Sequence, residues 1–142
     1  MAIVSKSGAE WKGGIKTGSG TMKGARGPSV PYSLGSRFEG QPSSSPEELL
    51  GSALAGCFSM ALTLALESQG LAPRAVRTDA EVSLDKDGAG FTITGIALKT
   101  TADVPGVDDA KFQAIAEETK KGCPVSKVLA ATKITLSASL AT

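Results

Sequence analysis

An α+β fold is predicted by three patterns in this 142-residue sequence: a long capped helical run, a pair of adjacent alternating runs, and a shorter helix followed by another alternating run. The long helix begins at Ser45-Pro46-Glu47-Glu48, where Ser45 can cap, Pro46 suits the first helical position and Glu48 completes a capping box. It should run to about Gln69, with Gly70 as its stop. Apolar residues lie on every side of it, as a central helix buried by its surroundings requires. Gly51, Ala55, Ser59 and Thr63 recur every four positions, which predicts close approach of another backbone and a tightly packed helix pair. Residues 75–84 and 91–101 alternate in polarity around the turn Asp85 to Gly90, a β-hairpin pattern with a six-residue turn. Asp108 can cap a second helix through about Lys121, closed by Gly122. A strand over Lys133 to Leu140 puts Ile134, Leu136, Ala138 and Leu140 on one face. Residues 8–40 are rich in Gly, Ser and Lys; Glu10-Trp11-Lys12 and Tyr32-Ser33-Leu34 can form short strands. Gly18 to Gly24 fits neither G-x-G-x-x-G nor the Walker pattern and reads as a hairpin turn. Strands, helix, hairpin, helix and strand make one domain over residues 1–142, with sheet wrapped around the first helix and no internal repeat.

Composition narrows the function. A net charge of +1, with one Trp and one Tyr, gives neither an electrostatic footprint nor a stacking platform for nucleic acid. The start, Met1 to Lys6, lacks the apolar core of a secretory signal and points to the cytoplasm. The uncharged run Leu49 to Leu66 reaches the minimum length of a membrane span at 18 residues. Gly51, Ser52, Gly56, Ser59 and Thr63 dilute it and Glu47-Glu48 precede it, so no membrane partner is expected. The sequence contains no histidine, which removes Cys-His and Ser-His catalysis and most zinc or iron sites. No metal or cofactor is expected.

Two cysteines remain as the only soft nucleophiles, Cys57 inside the apolar run and Cys123 in Gly122-Cys123-Pro124-Val125-Ser126. Cys57 reads as sheltered and Cys123 as mobile. In a reducing compartment a disulfide between them is more often transient and catalytic than structural. A reactive thiol needs its thiolate near neutral pH, against an ordinary pKa of about 8.5. The cation for Cys57 must come from Lys or Arg, and Arg37 lies shortly before the first helix. It would favour the thiolate and donate hydrogen bonds to a peroxide. Glu47 lies about 80° around the helix from Cys57 and about 15 Å along it, whereas Glu48 points about 180° away. Either Arg37 spans the gap, or Glu47 serves the site of a two-fold related subunit, the arrangement that the small-residue seam favours. Each residue has a plainer reading: Cys57 a small buried hydrophobe, Cys123 a loop thiol, Arg37 a surface arginine, Glu47 a stabiliser of the helix start.

Ser36-Arg37-Phe38-Glu39-Gly40, Ser45 to Gly51, Ala55-Gly56-Cys57-Phe58-Ser59-Met60-Ala61-Leu62 and Gly122 to Ser126 together resemble the osmotically inducible protein C (OsmC) family. The resemblance extends over essentially the whole chain. It implies an intertwined α+β homodimer, a long central helix wrapped by antiparallel sheets, with a thiol-peroxidase site at each subunit interface. Cys57 matches the peroxidatic cysteine, Cys123 the resolving cysteine, and Arg37 with Glu47 the charged pair that activates the thiolate. Arg37 in its Ser-Arg-Phe-Glu-Gly setting favours the OsmC branch over the related organic hydroperoxide resistance proteins. Leu54 stands where many members carry histidine.

The implied activity is reduction of organic hydroperoxides, and less efficiently hydrogen peroxide, through a Cys57 sulfenic acid and a Cys57–Cys123 disulfide that an external thiol or dithiol reduces. Leu54, Phe58, Met60 and Phe38 are the expected apolar surface for a bulky substrate. The competing readings are a non-catalytic dimer that binds an apolar ligand and a thiol redox sensor.

Overall fold

The structure, a computed structural model, describes residues 1–141. The chain forms two compact units, Met1–Leu49 and a second from Leu50 onward.

In the first unit, β1 (Ser7–Lys12), β2 (Ser19–Gly24) and β3 (Ser29–Tyr32) form an antiparallel sheet in that order. Trp11 and Tyr32 stand across β2 with ring centroids 5.5 Å apart, and Gly20 pairs with both in register. A Cβ on Gly20 would lie 2.6 Å from both the Glu10 carbonyl oxygen and the Tyr32 ring, so this crossing requires glycine. Two expectations are corrected here. Residues 19–24 are strand, and the turn lies before them, where the Gly18 amide donates to the Gly14 carbonyl at 2.7 Å. Tyr32 ends β3, while Ser33 caps a short helix α1 (Leu34–Phe38) through reciprocal hydrogen bonds with Ser36.

Helix α2 (Pro46–Ser68) starts as expected, with the Ser45 hydroxyl accepting from the Glu48 amide at 3.2 Å. It ends at Gly70, where a φ of +75° lets the Leu71 amide reach back to the Leu66 carbonyl. In the second unit, β4 (Ala75–Asp87), β5 (Gly90–Asp103) and β6 (Ile134–Leu140) form a sheet in that order. The β4–β5 ladder runs further than its alternation predicts, so the expected six-residue turn contracts to Gly88-Ala89, with φ +59° at Gly88. Strand β6 pairs with β5 in parallel, where antiparallel sheets are expected. Helices α3 (Asp109–Gly122) and α4 (Pro124–Val128) form the crossover that parallel pairing needs.

Leu54, Phe58, Leu62 and Leu66 form a fully buried stripe along α2 and pack with Ile96, Leu98, Phe112 and Ala116. Each such side chain contributes about 1.5–3 kcal/mol on burial. In the single chain α2 is not buried all round: Met60 and Leu64 are 74% and 68% exposed. By length and composition α2 is apolar enough to cross a membrane, but in the folded chain only one face of it is covered. The small-residue seam also has a different role from the expected helix pair. A Cβ on Gly51 would stand 3.2 Å from Val82 Cγ2, and Ser59 Oγ donates to Thr78 Oγ1 at 2.8 Å, so the seam seats β4 of the same chain. Thr78 Oγ1 lies 2.9 Å from Thr100 Oγ1, and Thr100 donates to the Arg77 carbonyl, which satisfies the buried hydroxyls.

Candidate active site

The second unit brings Cys57 and Cys123, 66 residues apart in sequence, within hydrogen-bonding distance. Cys57 is on α2, one position before the buried Phe58, and is partly exposed. Cys123 is both the last cap of α3 and the first cap of α4. Pro124 causes this break, because it cannot continue α3 yet suits the first position of a new helix. The Cys123 amide donates to the Thr119 carbonyl and its own carbonyl accepts from the Lys127 amide, both at 3.0 Å. The expected mobile loop thiol is therefore a helix junction, and Cys123 is only 1% exposed.

With both thiols protonated, Cys123 Sγ donates to Cys57 Sγ at 3.0 Å. The sulfurs titrate as a pair, and the proton left after the first ionisation lies between them. Burial pushes Cys57 above its ordinary value, and its neighbour Cys123 pushes it further, against a smaller opposing effect of the Val125 backbone. Burial also opposes ionisation of Cys123, but the Cys57 thiol, the Ser126 hydroxyl and the Ser126 and Val125 backbone outweigh it and pull its pKa down. Within the second unit these effects favour negative charge on Cys123 over Cys57. Val125 and Ser126 were not singled out in the sequence; the signal was Cys-Pro-x-Ser, which puts cysteine at a helix cap and serine at the third helical position.

In the first unit, Arg37 meets Glu47. Arg37 Nε donates to both Glu47 carboxylate oxygens at 3.0 and 3.2 Å, and a terminal nitrogen donates to Oε1 at 2.5 Å. The α1 capping box and the bond from Ser36 Oγ to the Ser44 carbonyl hold Arg37 at the start of α2. Burial opposes the Glu47 charge, yet the Arg37 hydrogen bonds, its own backbone, the Arg37 charge and Ser45 together hold the carboxyl below its ordinary 4.5. The Arg37 guanidinium also stacks 5.1 Å from the centre of the Phe38 ring.

The apolar surface beside the thiols differs from expectation. Leu54 and Phe58 are 0% exposed and belong to the core, where no substrate reaches them. Instead an open groove of about 510 Å³ follows α2 and α3, lined by Ala61, Ala65, Ala114 and Ile115, and reaches Cys123. Exposed Lys111 and Glu118 also line it. Among the described residues no group of three His, Cys, Asp or Glu side chains is placed to hold a metal.

The family model described as OsmC-like protein matches residues 39–137. The chain is 50% identical over 138 residues to the protein named Peroxiredoxin OsmC of Escherichia coli strain K12, covering 96% of each. The fold is shared with an OsmC-like protein of Mycoplasma pneumoniae, with a TM-score of 0.79 at 16% identity and full coverage of both chains. It is shared too with the organic hydroperoxide resistance protein OhrB of Bacillus subtilis, with a TM-score of 0.67 at 22% identity, covering 96% and 98% of the two chains.

Proposed function

The chain belongs to the OsmC family, and on that footing we propose that it is a thiol peroxidase that reduces organic hydroperoxides, and hydrogen peroxide less efficiently, at Cys57. The observation that carries this reading is the 3.0 Å approach of the sulfurs of Cys57 and Cys123. A sulfenic acid on Cys57 would form beside a second thiol that can resolve it. The 50% identity to a protein named Peroxiredoxin supports the same activity.

The chemistry divides between the sulfurs. Cys57 thiolate attacks the distal peroxide oxygen, the O–O bond breaks, and the alkoxide takes the proton of Cys123 and leaves as alcohol. Cys123 thiolate then attacks the Cys57 sulfenic acid, forming the disulfide and releasing hydroxide. An external thiol or dithiol supplies two electrons to restore both thiols. The groove along α2 and α3 offers apolar surface to the organic part of the substrate.

The first step needs Cys57 ionised, although burial and Cys123 disfavour it. The Arg37–Glu47 pair supplies the missing cation from a second copy of the chain. Two observations support a homodimer. Ala53, Gly56, Met60 and Leu64 leave an exposed apolar stripe along α2. The β1–β2–β3 sheet is exposed along most of its residues, and so small a sheet needs a cover to be stable. Glu47 and Glu48 at the start of α2, with the glycines and hydroxyls along it, fit a protein cover better than a lipid one. The two units then act together as one OsmC-like domain, in the cytoplasm, where a reducing environment keeps the thiols ready.

Cumene hydroperoxide consumption under excess dithiol, compared for wild type, Cys57→Ser and Cys123→Ser, tests the reading. Activity should vanish with Cys57→Ser, and Cys123→Ser should lose the intramolecular disulfide. Background consumption by all three would favour a binding protein instead.

A further inference from the structure

Ser126 is 5% exposed, and among the described residues its buried hydroxyl has no hydrogen-bond partner. A buried hydroxyl left in this state costs free energy unless some state of the protein uses it. Cys123 is the N-cap of α4 and Ser126 its third residue, the spacing of a capping box, but no side-chain cap bond is made here, so the Ser126 hydroxyl stays uncommitted beside the cap. The nearby sulfur is a weak acceptor as a neutral thiol and a stronger one as a thiolate. Catalytic hydrogen bonds are often unformed or poorly aligned at rest and tighten as charge develops. The effect of the Ser126 side chain on Cys123 has the matching sign, since it lowers the thiol's pKa. Exposure separates the sulfurs as well, because Cys123 is 1% exposed and Cys57 is partly open.

We propose that Ser126 is a positioning residue for reduction of the disulfide: its hydroxyl donates to Cys123 Sγ as that sulfur departs, so the external thiol bonds to Cys57. In this step the thiolate RS⁻ attacks Cys57 Sγ, the Cys57–Cys123 bond breaks, and its electron pair leaves on Cys123. The product is a Cys57–S–S–R mixed disulfide beside a Cys123 thiolate. A second external thiol then attacks the R sulfur and releases Cys57, so two thiols are oxidised as one protein disulfide is reduced. The sulfur that ionises more readily leaves faster, which fixes the direction of attack.

The inference rests on the Cys57–Cys123 disulfide of the proposed function, and diamide can form that disulfide without any peroxide. Diamide-oxidised protein is mixed with excess glutathione, quenched in acid at early times and mapped by peptide mass. In the wild type the glutathione adduct should lie on Cys57; an adduct on Cys123 overturns the proposal. In Ser126→Ala the ratio of Cys57 to Cys123 adducts should fall roughly tenfold, as losing a hydrogen bond to a charged group implies. Ser126→Thr, which keeps the donor, should hold the ratio near wild type. A general loosening of the fold would slow both adducts together, so an unchanged ratio in Ser126→Ala overturns the role of Ser126. Ser126→Gly serves the same purpose if the alanine variant does not fold. Absence of peroxidase activity leaves this test intact, whereas failure of diamide to form the disulfide removes its premise.

Discussion

Replacing Met60 and Leu64 together by lysine should convert the protein to monomers without unfolding the chain. The two side chains are 74% and 68% exposed in the single chain. Full burial of such a side chain contributes about 1.5–3 kcal/mol, so the surface still open on each is worth about 1–2 kcal/mol. A two-fold interface uses each residue twice, and four side chains sum to about 4–8 kcal/mol. At about 1.4 kcal/mol per factor of ten, dimer dissociation should strengthen by about three to six orders of magnitude. Light scattering on a sizing column at micromolar concentration should give a dimer for the wild type and a monomer for the double variant. Their far-UV circular dichroism should match, because the core face of α2 is untouched. Peroxide consumption should fall with the dimer, since each Cys57 would lose the partner's guanidinium. A double-lysine protein that stays dimeric refutes the assignment of the interface. A monomer that keeps full activity refutes supply of the cation by the second copy.

Glu47→Gln should destabilise the chain by about 1–2 kcal/mol at pH 7, the lower range for charge-assisted hydrogen bonds whose arginine is partly solvated. Because the folded carboxyl titrates below its ordinary 4.5, that contribution is complete above about pH 5 and fades as pH falls through the folded value. Urea midpoints of the two proteins should therefore converge in acid; a gap that widens below pH 4.5 would contradict the sign. Phe58→Ala should cost about 3–5 kcal/mol in urea denaturation, as for a fully buried aromatic, and should not improve use of larger hydroperoxides. Higher kcat/KM on cumene hydroperoxide than on hydrogen peroxide is expected with one reductant, and equal values would remove the role of the groove along α2 and α3.

Much of the fold is written in short-range signals, and the departures have physical causes. Ser45, Pro46 and Gly70 bound α2 because caps act within a turn or two. The direction of β6 is not local: Ile134, Leu136, Ala138 and Leu140 alternate identically in a parallel or an antiparallel strand. Helix α1 has five residues, too few for a hydrophobic period, although Ser33 and Ser36 already held the spacing of its cap. The seam from Gly51 to Thr63 shows how far periodicity reaches, since it identifies residues that share a face but not what covers them. For the thiols, Cys57 and Cys123 could be named from composition, while their approach depends on α3 ending at Gly122, just before Cys123 and Pro124, after the chain has left β5.

The chain's single tryptophan, Trp11, lies in β1 against Tyr32 and donates its indole hydrogen to the Gly13 carbonyl. Its emission is therefore a gauge of the first unit, the unit that also carries Arg37 and Glu47. A spectral shift that accompanies disulfide formation would report a change in the surroundings of Trp11, so fluorescence offers a native readout of whether oxidation of the redox pair is felt in the segment that carries Arg37.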